Sequence, residues 1–127
     1  MIRGHGIDIE EISSIGRAYE KNERFAEKIL TAQELTRFSS LKGKRKLEYL
    51  AGRWSAKEAF AKAVHTGLRL PVTLHHISIA HDKLGRPEFV VEPPLQEWLR
   101  QQGIGRVHLS LSDDNGAVVA FAVAEKA

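Results

Sequence analysis

Between Ala51 and Ala63 the chain reads Ala-Gly-Arg-Trp-Ser-Ala-Lys-Glu-Ala-Phe-Ala-Lys-Ala, and no other stretch limits the fold so tightly. Rich in alanine, with Lys and Glu and without proline or a β-branched residue, it predicts helix. Gly52, Ala56, Ala59, Phe60 and Ala63 recur at spacings of four, three, one and three. They form one apolar stripe, suited to burial against a sheet or a second helix. Because most of that stripe is small, its neighbour must come very close. Trp54, Glu58 and Lys62 follow at intervals of four on a different face. Glu58 and Lys62 then have two readings: an exposed ion pair worth ~0.2–0.5 kcal/mol, or a carboxylate offered to a metal beside a lysine that holds phosphate. Spacing alone does not choose.

The N-terminal segment Ile2 to Ile9 reads as a strand. Its period of two places Gly4, Gly6 and Asp8 on one side and Arg3, His5, Ile7 and Ile9 on the other. Glycines on the face that carries Asp8 fit close approach by a backbone or a ligand. Ser13 or Ser14 caps a predicted helix to about Glu23, with Ile12, Ile15 and Tyr19 on its buried edge. Arg17, Lys21 and Arg24 make a basic row beside Phe25. Thr31-Ala-Gln-Glu34 is a capping box opening a short helix through about Ser40, with Leu35 and Phe38 in the core. A basic cluster, Lys42 to Lys46, then leads into the central helix, which is expected to stop at Gly67 with Pro71 behind it.

Strands dominate the second half. Residues 72–81 and 88–91 predict a hairpin turned by Lys83-Leu-Gly-Arg-Pro87. Pro93-Pro94 opens a helix through Gln101 that buries Leu95, Trp98 and Leu99. Val107, Leu109 and Leu111 alternate with polar residues in a further strand, and Asp114-Asn-Gly116 turns it into the last one, 117–123. Helices first and antiparallel hairpins second make the class α+β, one domain over residues 1–127, with a long central helix packed on an antiparallel sheet.

The composition bounds the function. With 43% hydrophobic and 28% charged residues and no cysteine, the chain suits a reducing compartment and offers no thiolate chemistry. The N-terminus has no apolar signal-type core, and no run approaches the ~18 residues that span a membrane; the expectation is a cytoplasmic protein without a membrane partner. A net charge of +3 and a pI near 9.3 point to an anionic partner. Lys42–Lys46 lacks the interleaved aromatics of a nucleic-acid surface. His75, His76, His81 and His108 share no metal-ligand spacing on one face.

"GRWSAKEAFAKA", preceded by "RKLEYLA" and "FAEKILTAQEL", together with the N-terminal "GHGIDIEEI", resembles the signature of the holo-acyl-carrier-protein synthase family of phosphopantetheinyl transferases. The resemblance runs from about Ile2 to Thr66 and resumes near Ser110. It implies the phosphopantetheinyl transferase fold and transfer of 4′-phosphopantetheine from coenzyme A to a serine of apo-acyl carrier protein, for fatty acid biosynthesis. It further implies Mg²⁺ held by Asp8 and Glu58, with Glu58 the candidate general base. Lys62 and Lys57 would stabilise phosphate charge, and Arg53, Lys57, Lys62 and Ser112 would contact coenzyme A, with a weaker case for the Lys42–Lys46 cations. Arg17, Lys21, Arg24, Phe25 and Trp54 would dock the acidic carrier protein. The family resemblance also implies a homotrimer with active sites between subunits, in which Asp8 and Glu58 need not share a chain.

One position departs from that pattern. Where the family usually has Ser-Leu-Ser/Thr-His, this chain has Ser110-Leu-Ser-Asp113, so a carboxylate stands where a histidine would meet phosphate. Asp113 therefore receives no catalytic role. Two other readings compete with a Mg²⁺-dependent transferase: a basic, non-enzymatic docking domain, and the same fold with altered activity.

Overall fold

The structure, a computed structural model, describes all 127 residues. In chain order it contains β1 (Ile2–Glu11), α1 (Ile12–Lys21), α2 (Arg24–Ile29), α3 (Ala32–Ser40) and α4 (Gly43–Ala63). A 3-10 turn at Leu74–His76 follows, then β2 (Ile77–His81), β3 (Pro87–Val91), α5 (Pro93–Gln101), β4 (Ile104–Asp114) and β5 (Ala117–Lys126). Strands β1, β5 and β4 form an antiparallel sheet in that order, and β2 and β3 form a separate hairpin. The class is α+β, as expected.

What places α4 on the sheet is an absence of side chains. Gly4, Gly6 and Asp8 all face inward, and in register beside them on β5 stand Ala124, Ala122 and Ala120, each fully buried. Against this flat surface lie Ala56, Ala59 and Ala63, also buried. A methyl group on Gly6 would overlap the carbonyl oxygen of Ala59 and come within 2.6 Å of Lys62 Cβ; one on Gly4 would overlap the carbonyl oxygen of Ala63. Helix and strand thus meet backbone to backbone. Gly6→Ala is expected to destabilise the fold by about 1–3 kcal/mol, since neither backbone can yield, and urea unfolding measures it. An unchanged midpoint would mean that α4 slides freely.

Around this contact the core divides along α4. Its C-terminal half joins Phe60, Val72, Ile77, Leu95, Leu99 and Ile104, while Leu50 and Ala51 near its middle join Ile15, Ile29, Leu30, Phe38 and Val118. Burial of Phe60 and Leu95 at 0% exposure contributes roughly 1.5–3 kcal/mol each. The expected stripe is buried, but Ser55, Lys57 and Ala61 are buried too, so α4 is enclosed on most of its circumference.

Several boundaries differ from the sequence-based expectation. Strand β1 continues to Glu11 and passes into α1 without a loop, so neither Ser13 nor Ser14 caps it; Glu11 stands at the cap and makes no side-chain bond there. The Ile12 N–H is satisfied by the carbonyl of Gly116 in the β4–β5 turn, at 2.9 Å. Helix α1 also ends early, at Lys21. The Asn22 side chain accepts from Arg24 N at 3.1 Å and starts α2, which divides the Arg17–Lys21–Arg24 row between two helices. At the other end α4 stops at Ala63, because Thr66 and Gly67 both donate back to the Ala61 carbonyl. The first strand of the small hairpin begins at Ile77, not residue 72, since Leu74–His76 coils. The Asn115-Gly116 turn forms as expected, with φ of 51° and 78°, and β5 runs on to Lys126.

Candidate active site

The inward face of β1 and the Trp54–Glu58–Lys62 face of α4 meet. Lys62 does not pair along its own helix; its Nζ crosses to the Ile7 carbonyl at 2.9 Å and to Asp8 Oδ1 at 3.3 Å. Ser55 donates to the Asp8 carbonyl at 3.1 Å, and Trp54 Nε1 donates to Glu10 Oε1 at 2.9 Å. The helix is thereby pinned to β1 along one line of polar contacts beside the glycine seam. Glu10 was not singled out from sequence, although it lies two residues beyond Asp8 on the same face of the strand.

The electrostatics of this patch are unbalanced. Asp8 is 8% exposed, and its second oxygen, Oδ2, is buried with no hydrogen-bond partner. Burial first, then Asp8, raise the Glu58 carboxyl above its usual range; Lys62 opposes the rise and Glu10 adds to it. Three carboxylates therefore face one lysine. An orphaned buried carboxylate oxygen in an oxygen-only donor set fits a hard divalent cation, and no group of three ligand-type side chains is close enough to form a cage. That suits Mg²⁺, which takes one or two carboxylates and keeps much of its water.

The rise at Glu58 has a stability consequence. A carboxyl whose folded pKa lies above its unfolded value contributes stability that is present below the unfolded pKa and lost as pH rises through the folded one. In EDTA, Glu58→Gln is therefore expected to melt above the parent protein at neutral pH. The difference should shrink as pH falls below the ordinary glutamate range. A variant that melts no higher at neutral pH would contradict the assignment.

The remaining predicted residues fall elsewhere. Arg53 lies about 140° round the helix from Glu58, with its guanidinium 3.9 Å over the Tyr49 ring. Its Nε is 3.9 Å from Glu34 Oε2, and it donates to the Ile79 carbonyl at 3.4 Å. It also lines a cleft of about 410 Å³ with Glu48, Ser112 and Asp113. Arg53 and Ser112 thus come together, apart from the carboxylates, and the Asp113 charge shares its cleft with an arginine. Arg17, Lys21 and Arg24 are exposed, and Phe25 and Trp54 half-buried.

Lys57 needs a correction. Expected to face phosphate, its side chain is wholly buried and paired with Glu34 Oε1 at 2.6 Å. It also donates to the carbonyls of Ile29 at 2.7 Å and Leu74 at 3.0 Å. All three ammonium protons are committed, so none remains for a ligand. Burial pushes this lysine below its usual range, against the pull of Glu34. Glu34 does close the predicted capping box, yet it also accepts from Ile79 N at 2.9 Å and so ties α3, α4 and β2 together.

The lysine cluster is no linker. Helix α4 starts within it, at Gly43, and Lys46 lies over the Phe38 ring at 4.8 Å. A cleft of about 700 Å³ between β3 and β4 is lined by residues such as Phe60, Phe89 and Leu109. It reaches none of Asp8, Glu58 or Lys62.

Comparison with known proteins decides the family. Residues 4–122 match the model of the 4′-phosphopantetheinyl transferase superfamily. The chain belongs to that superfamily. It is 51% identical to a holo-[acyl-carrier-protein] synthase of Neisseria meningitidis over 127 residues, covering 99% of this chain and 100% of the relative. Among solved structures it is similar to the holo-[acyl-carrier-protein] synthase of Neisseria meningitidis, with a TM-score of 0.94 at 50% identity, covering 99% of this chain and 100% of that one. It is also similar to a holo-(acyl-carrier-protein) synthase of Bacillus anthracis in complex with coenzyme A (3′,5′-ADP). There the TM-score is 0.84 at 37% identity, and the match covers 100% of this chain and 99% of that one. Within the one chain, Lys62 Nζ lies 3.3 Å from Asp8 Oδ1, and both groups are near enough to act on the Glu58 carboxyl.

Proposed function

We propose that this chain is a holo-acyl-carrier-protein synthase serving fatty acid biosynthesis. It would transfer 4′-phosphopantetheine from coenzyme A to a serine hydroxyl of apo-acyl carrier protein and release adenosine 3′,5′-bisphosphate. The observation that carries this reading is the convergence of Asp8, whose Oδ2 is buried and unpartnered, with Glu58 and Lys62 across the β1–α4 seam. A docking domain has no use for crowded carboxylates held against a backbone contact.

In this reaction the serine oxygen attacks the β-phosphorus of coenzyme A. The bond from that phosphorus to the bridging oxygen breaks, and its electron pair leaves with the nucleotide bisphosphate. Glu58, the carboxylate nearest the Asp8–Lys62 pair on α4, accepts the serine proton. Lys62, half-exposed and anchored by the Ile7 carbonyl and Asp8, places a compact positive charge where the pyrophosphate develops charge. Asp8 and Glu58 are the side chains that would hold Mg²⁺, which when bound supplies charge neutralisation on the pyrophosphate. Arg53 and Ser112 contact the nucleotide end. Arg17, Lys21 and Arg24 steer the acidic carrier protein by charge, with Phe25 and Trp54 as apolar anchors.

We also propose a homotrimer with active sites bordering the subunit contacts. The outward face of the sheet supports it. Ile7 and Ile9 of β1 are 54% and 64% exposed, and Phe121 of β5 is 42% exposed. Ile7 stands opposite Phe121 in register. This apolar strip lies on the reverse of the strand that carries Asp8, so a neighbour covering it would adjoin the site. A solution mass near that of one 14.2 kDa chain in sedimentation would count against the trimer. We assign the protein to the cytoplasm; no helix is long and apolar enough to cross a membrane.

The decisive assay is the intact mass of apo-acyl carrier protein after incubation with this protein, coenzyme A and Mg²⁺. A gain of one phosphopantetheine, abolished by EDTA, is the expected result. No gain from folded protein, with a working transferase in parallel, would overturn the proposal.

A further inference from the structure

The outward face of the three-stranded sheet carries a row of histidines beside its apolar strip. His5 of β1 and His108 of β4 both stand in register with Val123 of β5. One step along the sheet the row is Ile7–Phe121–Ser110, and the next is Ile9–Val119–Ser112. The His5 and Phe121 rings are neighbours, with centroids 6.4 Å apart. His108 Nε2 instead lies 3.1 Å from Glu125 Oε1. Helix α4 takes the opposite face, so the chain leaves this one open, with Ile7, Ile9 and Phe121 exposed.

The charges around the two histidines are mostly positive. On the side away from the strip stand Arg3 of β1, Arg106 of β4 and Glu125 of β5, all exposed. Arg3 donates to the Gln102 carbonyl at 3.4 Å, and Lys126 and the Met1 amino group lie at the strand ends beyond. Glu125 is the one carboxylate among them. On the strip side no titratable group precedes Glu11 and Asp114, which close the far end of the sheet. Six residues of strand, roughly 20 Å, separate these two from the histidines, more than twice the ~8 Å over which salt screens charge. Histidine is the side chain that changes charge between about pH 5 and 8. In that window each chain gains up to two positive charges where cations already outnumber carboxylates. A neighbour closing over the strip would tolerate neutral imidazoles, but imidazolium there would lose water beside like charge.

We propose that His5 and His108 form a pH-sensitive border of the subunit interface. Copies of this chain assemble through the strip when both imidazoles are neutral and separate when they are protonated. The inference rests on the homotrimer proposed above, in which three copies gather six such histidines around one contact; it does not rest on the transferase chemistry.

Sedimentation equilibrium of the intact protein at fixed ionic strength tests this, from about pH 8 to about pH 5.5, where histidines titrate and ordinary carboxylates do not. The association constant is expected to fall by about one decade per pH unit for each proton that assembly expels, and by at least ~100-fold across the window. The double variant His5→Gln with His108→Gln, its fold checked by circular dichroism, should hold the constant nearly level. It keeps every other histidine of the chain. A second variant, His5→Phe with His108→Gln, keeps a ring beside Phe121 and is expected to give the same level profile. A parent protein that stays trimeric throughout overturns the switch and leaves the homotrimer standing. So do variants that dissociate in step with the parent. A single-chain mass at every pH overturns both.

Discussion

Asp8→Ala is expected to lower the rate of phosphopantetheine transfer by about 10²–10³-fold, the cost of deleting one group that stabilises charge developing at a reacting centre. The fold should scarcely notice. Asp8 Oδ2 has no partner to lose, and Oδ1 bonds only Lys62, which keeps the Ile7 carbonyl. The backbone carbonyl of Asp8, not its carboxylate, receives Ser55. Transfer rate and melting temperature measured on the same preparation separate the two roles. Activity lost together with several degrees of stability would make Asp8 a structural residue and remove the main support for the proposed chemistry.

Lys57→Met should produce the opposite pattern. Its three partners, Glu34 and the carbonyls of Ile29 and Leu74, all lose their charged donor, and Glu34 keeps only the backbone N–H groups of Thr31 and Ile79 with Arg53 at 3.9 Å. Breaking a buried pair from one side costs about 3–5 kcal/mol, a large share of the ~5–15 kcal/mol that holds a domain together. Urea unfolding reads this directly. Adding Glu34→Gln removes the stranded charge, so the double variant should be more stable than Lys57→Met alone, as coupled neighbours are non-additive. If Lys57→Met unfolds at the parent midpoint but raises the Michaelis constant for coenzyme A, the lysine serves the substrate after all.

Neighbouring letters in the sequence thus have separate duties, and the reason is geometric. Lys57 and Glu58 differ by about 100° on a helix, enough to send one into the interior and the other to the seam. The seam was legible because a strand's period of two puts Gly4, Gly6 and Asp8 on one side without help from the rest of the fold. The α4 stripe and the Asn115-Gly116 turn were legible for the same local reasons. Lys57 was not: its partner Glu34 stands 23 residues away, and the capping box already gave that glutamate a sufficient local purpose. Nor was the end of α1 at Lys21, since the amphipathic pattern runs on while Asn22 breaks the helix with its own side chain. Glu10 was within reach of the same alternation that selected Asp8, but no motif drew attention to it.

The meeting of α4 with β1 through Gly4 and Gly6 has a mechanical meaning. Where side chains separate two elements, their rotamers act as springs, and the gap breathes as they change. Here the strand backbone bears on the helix carbonyls of Ala59 and Ala63, which is a hard stop. The separation of the strand and helix backbones that carry Asp8 and Glu58 is therefore fixed by main-chain contact, and only the torsions of the two side chains are left to adjust the distance between their carboxylates.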